Sequence, residues 1–212
     1  MTPEARLEEG LRALGLALPA EAQARLLAYL ALMRKWNRAY SLTAVDEPER
    51  MVTHHLLDSF AMLPALETAL PGIGRVADIG SGAGLPGIPL ALARPQWRVA
   101  LVEPNGKKAA FLRQAAIELG LENVAVVERR AEDWRPETGF DAVVSRALAE
   151  LADFVKVARH LCAPGGRLAA MKGRHPAEEL ERLPADVAAE RVLALQVPGL
   201  GAPRHLVIMR VS

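Results

Sequence analysis

The sequence predicts an α/β fold in which a seven-stranded, mostly parallel sheet follows an N-terminal cap of helices. From Arg75 onward, short apolar runs rich in β-branched residues alternate with amphipathic helical stretches, which is typical of a parallel sheet covered by helices. Residues 1–70 lack such runs and place their apolar residues at helical spacing. We therefore expect a helical cap over 1–70 and a sheet-forming core over 71–212, packed as one compact unit.

Proline and glycine positions mark where the predicted elements begin and end. Pro19, Pro48 and Pro64 indicate helix starts or breaks within the cap, because proline fits only the first turn of a helix. Strands are expected near 75–79, 98–102, 124–127, 141–145, 167–172, 191–197 and 205–211. The last two flank a proline- and glycine-rich turn, which favours an antiparallel hairpin.

Composition limits the class of protein. The chain has 212 residues, of which 51% are hydrophobic and 24% charged, enough for one well-packed core. Apolar runs do not reach the roughly 18 residues of a membrane span, and the start does not resemble a secretory signal. We expect a cytoplasmic monomer with no membrane association. Because Cys162 is the single cysteine, a cysteine-rich metal site is excluded, and we expect no metal.

The run VADIGSGAGLPG, residues 76–87, is the most informative segment. An apolar strand that ends in closely spaced glycines and leads into a helix lets the backbone approach a ligand and points free amide groups at it. The last three glycines alone also fit the G-x-G-x-x-G fingerprint of NAD enzymes, so an NAD-dependent oxidoreductase is one alternative. Asp78 and Gly80 extend the pattern to D-x-G-x-G-x-G. That form resembles the first motif of S-adenosylmethionine-dependent methyltransferases, which implies their Rossmann-like fold and their cofactor.

Other strand ends supply the remaining groups that this cofactor needs, since ligands of open parallel sheets bind beyond the carboxyl ends of the strands. Glu103 follows the second strand, where a carboxylate can hold both ribose hydroxyls. The adenine is expected beside the segment 131–134, read by Glu132 or Asp133, where Trp134 either stacks on the base or packs in the core. The expected cofactor residues are Asp78, Gly80, Gly82, Gly84, Leu85, Glu103, Ala131, Glu132 and Arg146.

Further segments resemble the bacterial glucose-inhibited division protein B family. Ahead of the sheet, residues 36–44 (WNRAYSLTA) and 55–59 (HLLDS) are similar to the family's W-N-x-x-x-N-L-T and H-x-x-D-S segments, with Ser41 where many members have asparagine. The resemblance extends over almost the whole chain through residues 78–89, Lys107-Lys108 with Phe111-Leu112, Ser145-Arg146-Ala147 and Met171-Lys172-Gly173. Carried over by position, the family's cofactor contacts fall on Gly80, Leu85, Ala131, Glu132 and Arg146.

The resemblance implies methylation of a guanosine in 16S ribosomal RNA at N7 of the base, at position 527 in conventional numbering. Guanine N7 has a lone pair and no proton to lose, so it attacks the sulfonium methyl group without a general base. Orientation is then the protein's main task. Two other classes stay open: a methyltransferase acting on another acceptor, and a ribosome-assembly factor without catalytic activity.

Four residues are expected on the catalytic side of the site. Arg146 either donates to the guanine carbonyl oxygen or holds the cofactor carboxylate. His55 and Asp58 either close over the cofactor or shape the base pocket from the cap, or they form a helix-capping or core polar pair. Lys172, at the end of the fifth strand, contacts phosphate or base, or is a solvated lysine.

The expected partner is 16S ribosomal RNA or the small ribosomal subunit. The net charge of +1 neither requires nor excludes nucleic acid, so the distribution of charge has to decide. Basic residues are scattered rather than massed: Arg34, Lys35, Arg38, Lys107, Lys108, Arg129, Arg130, Lys172, Arg174, His175 and Arg204. This distribution favours modest phosphate contacts over tight binding of naked RNA.

Overall fold

The sheet of the protein has seven strands within residues 1–146 and 150–211, the part of the chain that the structure, a computed structural model, describes. The strands are β1 (Arg75–Ile79), β2 (Arg98–Val102), β3 (Val124–Val127), β4 (Phe140–Arg146), β5 (Cys162–Lys172), β6 (Val187–Leu195) and β7 (Arg204–Val211). They lie in the order β3-β2-β1-β4-β5-β7-β6. Strands β1 to β5 are parallel, and β7 is antiparallel to β5 and β6. The predicted mostly parallel sheet and its final hairpin are confirmed.

Strand boundaries match the predictions closely except in β5 and β6. Strand β6 begins at Val187, four residues before the predicted 191, and ends at Leu195, two residues before the predicted 197. The first three strands begin and end at the predicted residues. Strand β5 starts five residues earlier than expected, at Cys162 rather than at 167, because Cys162 pairs with Phe140 before the register shifts. The next pair joins Ala142 to Arg167, so the intervening Pro164-Gly165-Gly166 segment forms an irregularity inside the strand.

The helices begin where the prolines predict. They are α1 (Pro3–Ala13), α2 (Ala20–Tyr40), α3 (Pro48–Met51), α4 (Asp58–Phe60), α5 (Leu63–Ala69), α6 (Gly87–Ala93), α7 (Gly106–Glu118), α8 (Leu151–Ala158) and α9 (Ala177–Glu181). Pro19 immediately precedes α2, Pro48 opens α3, and Pro64 lies in the first turn of α5. Between α3 and α4 the chain continues as a π-helix, Val52–Leu57. This form is rare in proteins overall, and where it occurs it is often at a functional site.

Helix α2 joins the cap to the core. The Tyr29 hydroxyl donates to the Ala83 carbonyl at 2.5 Å, and the Arg25 guanidinium donates to the Gly120 carbonyl at 2.9 Å. The rings of Trp36 and Phe111 meet edge to face with centroids 5.6 Å apart. One continuous hydrophobic cluster includes residues of the cap and of one sheet face. This shared core supports our proposal that 1–70 and 71–212 form one compact unit.

Among the described residues, no helix combines the length and the apolar character that crossing a membrane would require.

Candidate active site

The predicted site residues meet at the carboxyl edge of the parallel strands. The glycine turn follows β1, Glu103 follows β2, and Arg146 and Lys172 are the last residues of β4 and β5. A short 3-10 turn, Ala131–Asp133, lies beyond β3. Because the strands are parallel, segments that are distant in sequence form one crevice.

Asp78, the penultimate residue of β1, is a fully buried carboxyl group. Its Oδ2 accepts a hydrogen bond from the Gly87 backbone N–H at 2.9 Å. Its Oδ1 is buried and has no hydrogen-bond partner among the described residues. Burial raises the pKa of Asp78 to about 7, against smaller lowering effects of the Gly87 N–H and the Arg146 charge. The side chain therefore exchanges a proton near neutral pH.

The glycines of the turn serve two different purposes. At Gly80 the backbone has φ +67° and an added Cβ would meet nothing within 4 Å, so the space beside it is open. At Gly84 an added Cβ would lie 2.5 Å from the Ile88 side chain, and at Gly87 it would lie 2.2 Å from Leu101. Packing thus explains Gly84 and Gly87, whereas Gly80 leaves room for a ligand.

Most backbone amides of the turn are already paired inside the protein. The N–H groups of Gly80 and Ser81 donate to the Val102 carbonyl at 2.9 and 3.2 Å. Those of Gly84 and Leu85 donate to the Ser81 carbonyl at 2.7 and 3.0 Å. The expectation that these amides are free for a ligand is therefore wrong, and these residues shape the site without donating to it.

Glu103 is held in place by two backbone donors. Its carboxylate accepts from the Gly82 N–H at 2.8 Å and from the Asn105 N–H at 2.9 Å, and the residue is only 5% exposed. Glu103 is therefore not an ordinary solvated glutamate. A carboxylate offers about four lone pairs, so two further donors can still bind.

The residues of the segment beyond β3 differ in their exposure to solvent. Ala131 is buried, whereas Glu132 and Asp133 are exposed. Trp134 packs against Phe140, with ring centroids 5.5 Å apart. Of its two expected roles, stacking on the base or packing in the core, this contact corresponds to the second.

Arg146 contacts the cap through Asp58. Its Nη1 donates to Asp58 Oδ2 and to the His54 carbonyl, both at 2.8 Å. The other oxygen of Asp58, Oδ1, accepts from Arg204 Nε at 2.7 Å. Only 4% of the Asp58 side chain is exposed, so a nearly buried carboxylate is shared by two arginines.

His55 does not pair with Asp58, so the alternative in which these two side chains form a polar pair does not hold. His55 Nε2 lies 3.0 Å from Thr43 Oγ1, and the Thr43 N–H donates to Asn37 Oδ1 at 2.8 Å. Burial lowers the pKa of His55 to about 4, so its ring is neutral at pH 7. The two cap motifs, 36–44 and 55–59, therefore bind one another.

Lys172 is ion-paired rather than solvated. Its Nζ lies 2.8 Å from Glu179 Oε2, and its side chain is 13% exposed. Glu179 also accepts from the Leu151 N–H at 2.8 Å, so α8, α9 and β5 meet at this carboxylate. Ala147, which completes the Ser145-Arg146-Ala147 segment, lies outside the described residues.

Sequence reasoning placed Arg204 only among scattered surface cations. Arg204 is the first residue of β7, which runs antiparallel to β5 and so begins at the carboxyl edge. The predicted hairpin was the available signal, since a strand returning antiparallel to the fifth strand must start where that strand ends.

Comparison with known proteins identifies similar chains over nearly the full length. The model of the family described as rRNA small subunit methyltransferase G matches residues 22–207. Proteins named ribosomal RNA small subunit methyltransferase G are similar in Nitrosospira multiformis, at 56% identity over 99% of this chain and 98% of the relative, and in Neisseria meningitidis serogroup B, at 51% identity over 99% of each.

Solved structures with lower sequence identity share the fold. A glycopeptide N-methyltransferase in complex with S-adenosylmethionine aligns with a TM-score of 0.59 at 17% identity, over 75% of this chain and 96% of that one. An S-adenosylmethionine-dependent methyltransferase from Aquifex aeolicus aligns with a TM-score of 0.58 at 20% identity, over 81% and 97%. The predicted methyltransferase-type sheet is confirmed.

Proposed function

The chain belongs to the rRNA small subunit methyltransferase G family and is an S-adenosylmethionine-dependent rRNA methyltransferase, and from this premise we propose that it methylates guanine N7 in 16S ribosomal RNA. We place the target at position 527 in conventional numbering. The observation that carries the proposal is Arg146, which the Asp58 carboxylate and the His54 carbonyl hold at the end of β4. Arginine is the side chain best matched to the guanine edge that carries O6 and N7.

The residues of the crevice fit the cofactor. Glu103 is a fixed, buried carboxylate with lone pairs left for the two ribose hydroxyls. The open space beside Gly80 admits the methionine part, next to which Leu85 is buried. The unpartnered Oδ1 of Asp78 is a buried acceptor near this turn, as suits a ligand that carries two positive charges.

We propose a separate role for each group of the site. When bound, S-adenosylmethionine supplies an electrophilic methyl group on its sulfonium. Glu103 orients the ribose, and Ala131 and Glu132 line the adenine position. Arg146 orients either the guanine, through its carbonyl oxygen, or the cofactor carboxylate. A reaction at N7 needs no proton removed, so a neutral His55 at pH 7 is consistent with it.

The substrate we propose is 16S RNA within a small-subunit particle, with the target base exposed so that it can reach the crevice. We propose further that the protein acts as a monomer in the cytoplasm. We propose that the positive charge of Lys172 contacts the phosphate backbone of the RNA. In the structure this charge is balanced by Glu179.

The test is methyl transfer to RNA that has never been methylated. Purified protein, labelled S-adenosylmethionine and small subunits reconstituted from transcribed 16S RNA are incubated, and the RNA is digested to nucleosides. The expected product is 7-methylguanosine, mapped to position 527. Arg146→Ala is expected to lose transfer, whereas Arg210→Ala, a matched exposed arginine on β7, is expected to keep it.

Each other outcome overturns a defined part of the proposal. Label on another atom or base would disprove the N7 assignment. Cofactor binding without RNA labelling would favour another acceptor, and particle binding without any transfer would favour an assembly role.

A further inference from the structure

We propose that Arg204 is a positioning residue for Arg146, acting through the Asp58 carboxylate that the two arginines share. The inference rests on the proposed function, because it matters only if Arg146 orients the base or the cofactor. It assigns a catalytic contribution to the β6–β7 hairpin, which lies outside the parallel half of the sheet.

The first observation is how Asp58 divides its two oxygens. Oδ2 accepts from Arg146 at 2.8 Å, and Oδ1 accepts from Arg204 at 2.7 Å. A carboxylate facing a single arginine commonly takes both of its forked N–H groups. Because Arg204 occupies Oδ1, Arg146 contacts Asp58 through Nη1 alone. Loss of Arg204 would let Arg146 turn to face both oxygens and leave its present orientation.

The second observation is that Arg204 is itself anchored. Its Nη1 donates to the Pro203 carbonyl at 2.9 Å, and Lys172 pairs with His205 in the β5–β7 ladder. The backbone of Arg204 is therefore fixed beside the end of β5. A side chain so held orients its partner more effectively than a mobile surface cation does.

The third observation is that the hairpin turn also lies beside the π-helix. At Gly199, where φ is +75°, an added Cβ would lie 3.7 Å from Thr53 Oγ1. The next residue after Thr53 is His54, whose carbonyl accepts from Arg146 Nη1. The hairpin thus reaches Asp58 directly through Arg204, and its turn lies beside the π-helical segment that carries the second acceptor of Arg146.

The test compares two arginines of β7 in the methyl-transfer assay. Arg204→Ala is expected to lower kcat/KM by about tenfold or more, because small displacements of an orienting group are costly. Arg204→Lys keeps the charge without the planar fork and is expected to fall in between. Arg210→Ala removes an exposed ion pair with Glu190 and is expected to change kcat/KM by less than about twofold.

A double-mutant cycle with Asp58 separates positioning from a general loss of structure. If Arg204 acts through Asp58, adding Arg204→Ala to Asp58→Ala, which removes both acceptor oxygens, is expected to change kcat/KM by less than about twofold. Melting temperature and cofactor Kd are measured on the same samples. A full further loss in the Asp58→Ala background would show that Arg204 acts by a route other than Asp58 and would overturn the inference, as would wild-type kinetics of Arg204→Ala.

The same experiments distinguish the inference from its premise. A wild-type protein that transfers no methyl group to guanine N7 contradicts the proposed function. A wild-type protein that does so, together with an Arg204→Ala variant of equal activity, contradicts only the role of Arg204. If Arg204→Ala fails to fold, Arg204→Lys tests the inference in its place. A fully active lysine variant would show that the guanidinium is not needed and would contradict the role of Arg204.

Discussion

Gly82 donates its backbone N–H to the Glu103 carboxylate at 2.8 Å, which links the glycine turn after β1 to the first residue after β2. The Asn105 N–H, at the start of α7, donates to the other oxygen of the same carboxylate. Three segments of the crevice therefore depend on one buried acidic side chain. The acceptor that we propose for the cofactor ribose is therefore held in place by the protein's own backbone.

Glu103→Gln is expected to weaken S-adenosylmethionine binding by about tenfold or more and to lower the free energy of unfolding by about 1–3 kcal/mol. Glutamine has only one acceptor oxygen, so one of the two backbone donors would face an NH₂ group. Titration calorimetry and chemical denaturation measure the two effects. Glu128→Gln, which alters an exposed ion pair with Arg113, is the control and is expected to change neither. Wild-type cofactor affinity in Glu103→Gln would rule out its proposed role.

Gly80→Ala is expected to reduce cofactor affinity far more than stability. Gly72 provides a matched control, because both glycines have positive φ, +67° and +81°, and in both cases an added Cβ meets no atom within 4 Å. Each alanine costs about 1 kcal/mol of strain, but only the one at position 80 enters the proposed cofactor space. Equal affinities of the two variants for S-adenosylmethionine would place the cofactor elsewhere.

Cofactor binding is expected to release a proton from Asp78. Since the pKa of Asp78 is about 7 in the free protein, a cationic ligand favours the charged carboxylate and lowers that pKa. Affinity should therefore increase as the pH rises through 7. Calorimetry in two buffers of different ionisation enthalpy measures the proton release. In Asp78→Asn the release should disappear, and its persistence would identify another group as the source.

His55 is expected to make the protein less stable in acid. Its pKa of about 4 in the folded protein lies below the ordinary 6.5, so between these values the unfolded chain binds a proton that the folded chain does not. The neutral His55 therefore contributes up to about 3 kcal/mol to the free energy of unfolding. This contribution is complete above pH 6.5 and is lost as the pH falls towards 4.

Urea denaturation at several pH values across this window tests the His55 effect. His55→Gln should flatten the dependence of unfolding free energy on pH. His54→Gln changes the neighbouring, partly exposed ring and should retain most of the dependence. An unchanged slope in His55→Gln would contradict the proposed origin.

The fold was largely predictable because the strands are short apolar runs bounded by turn residues. Strand β5 was one exception, since Pro164 and two glycines are typical of a turn although the chain pairs on both sides of them. Strand β6 was the other, since it begins at Val187 and not at 191. Ser41, where many members of the family have asparagine, has a left-handed backbone with φ 50°, a conformation that asparagine tolerates well.

The site was only partly predictable. Motif spacing indicated Glu103 and Arg146, because Glu103 is the first residue after β2 and Arg146 is the last residue of β4. Nothing in the local sequence indicated the π-helix at 52–57, whose residues have no distinctive composition, and the pairing of Asp58 with Arg204 joins positions that are far apart in the chain. Such contacts depend on packing between elements and not on local preference.

The position of β7 between β5 and β6 has a consequence for how the protein is made. Synthesis proceeds from the N-terminus, so β6 leaves the ribosome before the only neighbour that the described sheet gives it. Until β7 inserts, β6 has no ladder to join and Asp58 lacks its second arginine. A nascent chain can therefore complete its parallel strands early, whereas the pairing of Asp58 with both arginines forms only when β7 joins the sheet.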